Sequence, residues 1–302
     1  MRFGIMEMQM SFLAPAGLSP QQIIQYVGAF DHRSHVARLA ETGFDPIELN
    51  SDLALFFPQS FTSISMENLL SYKQEHGLTY TVHLPLWSIE PSTPQAAVRQ
   101  GSLRVLIDTV KATLPLDPEV FVLHATGALA AEFYHMKMPE LARPLVLAQF
   151  QNNAQATIES LLMETGLDSR RLAIETIEFP FDLTLELAER LDLSICLDTG
   201  HILVGFSGPI GLFEALERCL TRLAEVHLHD GAWQGPEHLI GYGKDHKPLG
   251  TGDLDVGLFL DRLDKAGFKG PLVLELNPAE ALASIEFIRK VRPQYLPPSF
   301  QA

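Results

Sequence analysis

The stretch SICLDTG, residues 194–200, sets Ser194, Cys196 and Asp198 against Ile195 and Leu197, the period-two alternation of a strand with one polar and one apolar face. TVHLP, residues 81–85, has the same parity, with Thr81 and His83 opposite Val82 and Leu84. Working outward, His227 and His229 oppose Val226 and Leu228, Glu275 opposes Leu274 and Leu276, Glu175 opposes Ile174, His124 opposes Leu123, and Glu48 opposes Ile47 and Leu49. These polar residues fall at the ends of short apolar runs, which predict eight strands at 3–7, 44–49, 79–84, 120–124, 172–175, 193–198, 225–229 and 272–276. Segments of helical period lie between them, at 34–42, 65–76, 94–113, 144–165, 183–190, 212–223, 256–266 and 279–291, with Gly77, Gly166 and Gly267 at three of the stops. A strand every 38 residues or so, about the spacing of an eightfold barrel, predicts an α/β chain folded as a single (β/α)8 barrel over residues 1–292. Pro293, Pro297 and Pro298 predict an extended tail over 293–302. A doubly wound sheet is the weaker alternative, because the first strand-to-helix turn carries no GxGxxG.

In such a barrel the leucine-rich faces lie under the helices and the polar set converges at the C-terminal mouth, where these barrels hold their chemistry. Converging imidazoles and carboxylates are costly to bury unless a metal, a substrate or mutual hydrogen bonding compensates them. Having His83, His124, Glu175, Asp198, His227 and Glu275 at strand ends with one parity predicts a metal centre. Imidazole and carboxylate without thiolate suit Zn or Mn, with Fe or Co as alternatives. Cys196 reads as a small filler on the inward face, and neither it nor Cys219 has the spacing of a thiolate site. Trp87 and Trp233 follow strands three and seven and either stack on a ligand or cover the mouth. Glu7 is expected to point inward on strand one, while His32, His35, His76, His135 and His238 lie in helix or loop text and are expected at the surface.

The chain of 302 residues carries 22 Lys+Arg against 37 Asp+Glu, a net −15. A nucleic-acid binder displaces phosphate counterions with a basic footprint, so this balance argues against nucleic acid and for a small-molecule substrate. The opening MRFGIMEMQM has Arg2 and Glu7 but no apolar signal core, and no run of 18 apolar residues occurs, so no membrane span and a cytoplasmic location are expected. Nothing in the sequence sets the oligomeric state.

These motifs together resemble the xylose isomerase-like TIM barrels, a superfamily of sugar isomerases and epimerases that also includes the endonuclease IV type of nuclease. They are VHLP around His83, LHATG around His124, AIETIE around Glu175, LDTGH with Asp198 and His201, VHLHD around His227, DHKPLGTGDLD around His246, and VLELN around Glu275. LDTGH followed by HLHD and PLGTGDLD is the most specific part. IELN, TYTVHLPLWS and FVLHATG further resemble the cobamide-remodelling phosphodiesterases of that superfamily.

The resemblance implies either of two designs. The epimerase-like one holds a single ion on Glu175, Asp198, His227 and Glu275. The nuclease-like one places a first ion on His83, His124 and Glu175, a second on Glu175, Asp198, His227 and Glu275, and a third on His201 and His246 with an Asp two residues before the latter. Here that position is Lys244, with Asp245 out of register. The third site is then absent, rearranged, or replaced by the Lys244 ammonium as a phosphate anchor, and two ions are expected. Retention of His83 and His124 favours the multi-ion branch, a hydrolase of a phosphodiester in a small molecule such as a cobamide. Glu175 and Glu275 are the expected catalytic groups, and Lys244, His229, Trp87, Trp233 and Glu48 the expected substrate contacts. The alternatives are a one-metal sugar (phosphate) isomerase or epimerase, with Glu175 and Glu275 exchanging protons at carbon, and a noncatalytic metal-binding barrel.

Overall fold

Phe3 and Ile5, Ile47 and Leu49, Tyr80 and Val82, Phe121 and Leu123, Leu172 and Ile174, and Leu272 and Leu274 are all buried in one continuous apolar core with Leu39, Leu69, Leu106 and Leu161 from the helices. Each such side chain contributes roughly 1.5–3 kcal/mol by leaving water, so every strand has its face fixed by its alternation. In the computed structural model, which describes residues 1–7, 17–233 and 243–301, the strands are β1 (Arg2–Met6), β2 (Ile47–Asn50), β3 (Tyr80–His83), β4 (Phe121–Leu123), β5 (Leu172–Glu175), β6 (Ser194–Asp198), β7 (Leu223–His227) and β8 (Pro271–Leu274). They form a closed barrel in chain order. All neighbours are parallel, with β8 returning to β1.

Helices α1 (Pro20–Gly28), α2 (His32–Ala40), α3 (Ser63–His76), α4 (Ala96–Thr113), α5 (Ala128–His135), α6 (Ala142–Thr165), α7 (Phe181–Arg190), α8 (Thr199–Leu203), α9 (Leu212–Cys219), α10 (Val256–Lys265) and α11 (Pro278–Val291) connect them. Their ends follow cap chemistry. Thr62 accepts from the Ser65 amide at the start of α3, and Gly77 closes it in the left-handed region at φ 67°. Among the described residues, no helix is long and apolar enough to cross a membrane.

Inside the barrel, register sets the height of each inward side chain. Cys196 lies with Val120, Val122 and Ala173 in a small apolar plug. The pairing then sets Glu48 beside Thr81, Asn50 beside His83, Cys196 beside Glu225 and Asp198 beside His227.

Several expectations are corrected. The strand expected at 225–229 begins at Leu223 and ends at His227, and the helix expected at 212–223 stops at Cys219, since β7 takes Leu223. Helices α1, α5 and α8 were not expected; α1 opens on a Ser19–Gln22 capping box. Of the tail expected at 293–302, the described residues 293–301 do not run extended: Pro293–Tyr295 and Pro298–Phe300 are 3-10 turns. Leu296 and Phe300 are buried there, with the Phe300 ring 4.9 Å from that of Phe44. Glu7 shares the parity of the outward Phe3 and Ile5, and His32 and His35 are buried rather than at the surface. His238 lies outside the described residues.

Candidate metal centre

Glu175, at the end of β5, is buried, and its two oxygens face different imidazoles. Oε2 lies 3.1 Å from His83 Nε2 and 2.9 Å from His124 Nε2. Oε1 lies 3.2 Å from His201 Nδ1 and 3.5 Å from His227 Nδ1. His83 donates its Nδ1–H to the Leu84 carbonyl at 2.9 Å, which turns Nε2 toward Glu175. Burial pushes the Glu175 carboxyl up, but His124 and His227 overcome it and hold it well below the usual range. Burial likewise opposes the charged form of His83, and the bond to Glu175 outweighs it, so its pKa is raised.

Asp198 joins β6 to α8, its Oδ1 accepting from the His201 amide at 2.7 Å as the N-cap of that helix. Its Oδ2 accepts from His229 Nε2 at 2.9 Å. His229 Nδ1 in turn accepts from the His246 amide at 2.9 Å, so the ring is fixed with its hydrogen on Nε2. His229 therefore orients Asp198 and has no lone pair left for an ion.

His227 completes the set from β7. Both its ring nitrogens are buried without a hydrogen-bond partner. Nδ1 faces Glu275 Oε1 at 3.3 Å, Glu175 Oε1 at 3.5 Å and Asp198 Oδ2 at 3.8 Å. Donors on a tetrahedral divalent ion at roughly 2.0–2.2 Å stand about 3.3–3.6 Å apart; the Glu275 and Glu175 contacts fall in that range, the Asp198 contact is slightly longer, and all four donor atoms lie within 4.8 Å of one another. A buried ring nitrogen amid three carboxylates calls for positive charge: burial opposes the charged imidazole, but Cys196, Glu275, Glu48 and Glu175 outweigh it and hold its pKa well up. A divalent ion could take the place of that proton, and donors without thiolate suit Zn or Mn. His83, His124 and Glu175 form a second group of this kind, sharing Glu175 with the first.

On the β8 side, His246 Nε2 lies 3.2 Å from Glu275 Oε2 and its Nδ1 2.8 Å from Asp245 Oδ2. Asp245 also lies 3.9 Å from His201 Nε2. The positive φ of His246, 51°, brings Asp245 beside both histidines although it is out of register. Its carboxyl is pushed up by burial, but the His246 bond and the charges of His246 and His201 bring it down to about 2. Burial lowers His201 while Asp198 and Glu175 raise it, to about 9 overall.

The expected metal residues His83, His124, Glu175, Asp198, His201, His227, His246 and Glu275 thus converge. The expected substrate contacts separate. Trp87, 54% exposed, and His124 line a cavity of about 270 Å³ with Leu86, Ile177, His201 and Phe206. Trp233 lines a different groove, with Leu212, Phe213 and Asp253. Lys244 is exposed, and its carbonyl accepts from the Ala232 amide at 3.3 Å. His229 and Glu48 are fully buried.

Sequence reasoning passed over two buried acids. Glu225 faces inward two residues before His227, a position that strand parity already marks. Burial pushes its carboxyl well up, and neighbouring Glu48 pushes the same way. Asp230, within the VHLHD motif, accepts four backbone amides at 2.9 Å, from Gly231, Leu254, Gly250 and Gly252. That nest shapes the loop that carries His246, and a side chain on Gly252 would meet Asp230 Oδ1 at 2.4 Å.

Comparison with known proteins fits this geometry. The model of the family described as xylose isomerase-like TIM barrel matches residues 36–291. An uncharacterized protein of Methanocaldococcus jannaschii is 22% identical over 267 residues, 85% of this chain and 83% of that protein. Among solved structures, a D-tagatose 3-epimerase-like protein superposes with a TM-score of 0.69 at 20% identity over 97% of this chain and 98% of the other. Endonuclease IV from Thermus thermophilus superposes with a TM-score of 0.65 at 18% identity over 97% and 99%. At such identities these structures establish the fold alone.

Proposed function

The chain belongs to the xylose isomerase-like TIM-barrel family, and on that premise we propose that it is a metal-dependent hydrolase of a phosphodiester in a small-molecule substrate. The observation that carries this reading is the division of labour on Glu175. One oxygen faces His83 and His124, the other His227 and His201. A carboxylate so placed can bridge two ions, and a one-ion centre has no need of the first pair. When bound, a divalent pair supplies Lewis-acid charge to phosphoryl oxygens and a nucleophile near neutral pH. The residues themselves hold and orient: Asp198 is fixed by His229 and by the His201 amide of α8, and Glu275 is held by His227 and His246. His246, with its side chain 41% exposed, is the member best placed to meet substrate.

The cavity beside His124 and His201 would take the part of the substrate beyond the scissile ester. Its walls are largely apolar, and Glu90 and Glu178 are its carboxylates among the described lining residues. Those acids and the net −15 disfavour a nucleic-acid strand. A sugar epimerase is the second reading, favoured by the fact that Glu175, Asp198, His227 and Glu275 make a complete one-ion set by themselves. A panel of phosphodiesters, including a cobamide, and of ketoses, assayed with Zn, Mn, Fe and Co in turn, separates the two. Metal-dependent ester cleavage is expected, and ketose interconversion without ester cleavage would transfer the assignment to the epimerase.

A further inference from the structure

Beneath the centre lies a second polar layer that the proposed chemistry does not use. Glu48, Glu225 and Thr81 are all 0% exposed, and donor atoms of Glu48, Glu225 and His227 lie within 4.8 Å of one another. His227 Nε2 faces Glu48 Oε2 at 3.3 Å, and neither Glu48 oxygen has another partner. Thr81 donates its hydroxyl to Glu225 Oε1 at 3.2 Å, while Glu225 Oε2 is left for Glu48. Strand register builds this layer, setting Glu48 against Thr81 and Cys196 against Glu225.

Imidazole chemistry then points Nε2 at Glu48. A neutral ring that would offer its Nδ1 lone pair to an ion held together with Glu175, Asp198 and Glu275 must carry its hydrogen on Nε2, and an N–H buried at 0% exposure needs an acceptor. Glu225, held by the Thr81 hydroxyl, stands within 4.8 Å of Glu48. Glu48 Oε2, 3.3 Å away, is the carboxylate that faces Nε2, and the Cys196 thiol is the other buried group beside the ring. With Nε2 thus occupied the layer cannot take an ion of its own. With every member sealed from water, it holds a ring in place rather than delivering protons.

We propose that Glu48 is the positioning residue of His227: it accepts the Nε2–H and so aims Nδ1 at the three carboxylates above, with Glu225 and Thr81 bracing it from below. The inference rests on reading His227 as a metal ligand. Glu48→Met keeps the volume and removes the acceptor, whereas Glu48→Gln keeps a carbonyl oxygen for the Nε2–H. Zinc affinity, measured on the full chain by competition with a chromophoric chelator, is expected to fall about 10- to 100-fold in Glu48→Met and to recover to within a few-fold of wild type in Glu48→Gln. Nitrogen-edited NMR of histidine-labelled protein supplies the second readout. It should show a slowly exchanging hydrogen on His227 Nε2 whose shift changes in Glu48→Gln, a variant that retains the layer even where Glu48→Met does not fold. Wild-type zinc affinity in Glu48→Met, or a His227 Nε2 without hydrogen, overturns the proposal. A wild type that takes up no zinc overturns the metal-centre reading instead, and the metal-free spectrum still decides the role of Glu48.

Discussion

Two groups of buried histidine and glutamate stand at the top of this barrel, and they differ in how their atoms are partnered. Behind β1, His32 donates its Nδ1–H to the Ser60 carbonyl at 2.8 Å and faces Glu7 Oε2 with Nε2 at 2.7 Å. His35 donates its Nε2–H to the Glu7 carbonyl at 3.0 Å and accepts from Arg38 at 3.2 Å on Nδ1. Glu7 Oε1 accepts from the Asn50 amide at 3.0 Å. Each of these ring nitrogens is satisfied, so the group is a structural clamp between β1, α2 and the chain after β2. In the mouth the same residue types leave His227 Nδ1 without a hydrogen-bond partner and set it against the carboxylates of Glu175, Asp198 and Glu275. Residue type and burial are shared; a ring nitrogen that faces only carboxylates marks the site.

The largest effects come from breaking one group at a time. Asp198→Ala and His227→Ala should each remove bound metal and activity, with a cooperative urea transition retained, because the ligands are separate from the apolar faces under the helices. Glu7→Ala should do the reverse: it leaves buried His32 Nε2 and the Asn50 amide without their acceptor, costs roughly 2–4 kcal/mol in urea unfolding, and leaves metal stoichiometry intact. Metal analysis beside denaturation reads both. Loss of fold in His227→Ala with unchanged metal content would make the mouth a structural clamp as well.

Asp230 tests an intermediate case, a structural anion that positions a site residue. Asp230→Ala leaves four amides without an acceptor, so faster hydrogen exchange is expected at Gly250, Gly252 and Leu254, with weaker retention of His246 beside Glu275. The group on His83, His124 and Glu175 should keep its ion. Unchanged exchange at those three amides would remove Asp230 from this role.

The contrast also shows what a sequence carries. Strand parity exposed the inward faces of β3, β5, β6 and β7 because each alternates cleanly with leucine, isoleucine or valine. Parity gives a face and not a height, which is why Glu48 read as a substrate contact although register sets it below His227. His32, His35, Val36 and Leu39 form one buried stripe of α2 at helical spacing, but two histidines in it disguised an inward face as a solvent one. The C-terminal prolines restricted backbone angles and did not show that Leu296 and Phe300 would bury. Nor could linear register show that the left-handed turn at His246 brings Asp245 to His201.

A smaller, graded effect is expected with pH. His201 has a folded-state pKa of about 9 against an ordinary 6.5 in the metal-free protein. The proton it holds therefore stabilises the fold fully below pH 6.5, and that contribution is lost as pH rises through about 9. Urea unfolding of the metal-free chain should weaken across this window. Saturating zinc replaces the centre's protons and should flatten the decline, while the His32 clamp, also raised in pKa, contributes the same slope with or without metal. Identical slopes in both states would show that zinc does not compete with these protons.

The smallest effect expected is that of Lys244→Asp, which asks whether a third ion can be built at the edge of the centre. As folded, Asp245 lies between His246 Nδ1 at 2.8 Å and His201 Nε2 at 3.9 Å, while His246 Nε2 is turned to Glu275. His229 is excluded as a third donor because the His246 amide occupies its lone pair. His201, His246 and Asp245 are therefore set to hydrogen-bond one another or a substrate, and the Lys244 cation disfavours another cation nearby. Placing a carboxylate at 244 removes that charge and restores the in-register acid. Metal content at saturation should rise from two toward three, with substrate affinity altered and stability changed by no more than about 0.5 kcal/mol, since the position is exposed. A wild-type protein that already holds three ions would mean that Asp245 serves as the missing ligand through the turn at His246, and that register, not charge, was the wrong guide to this edge.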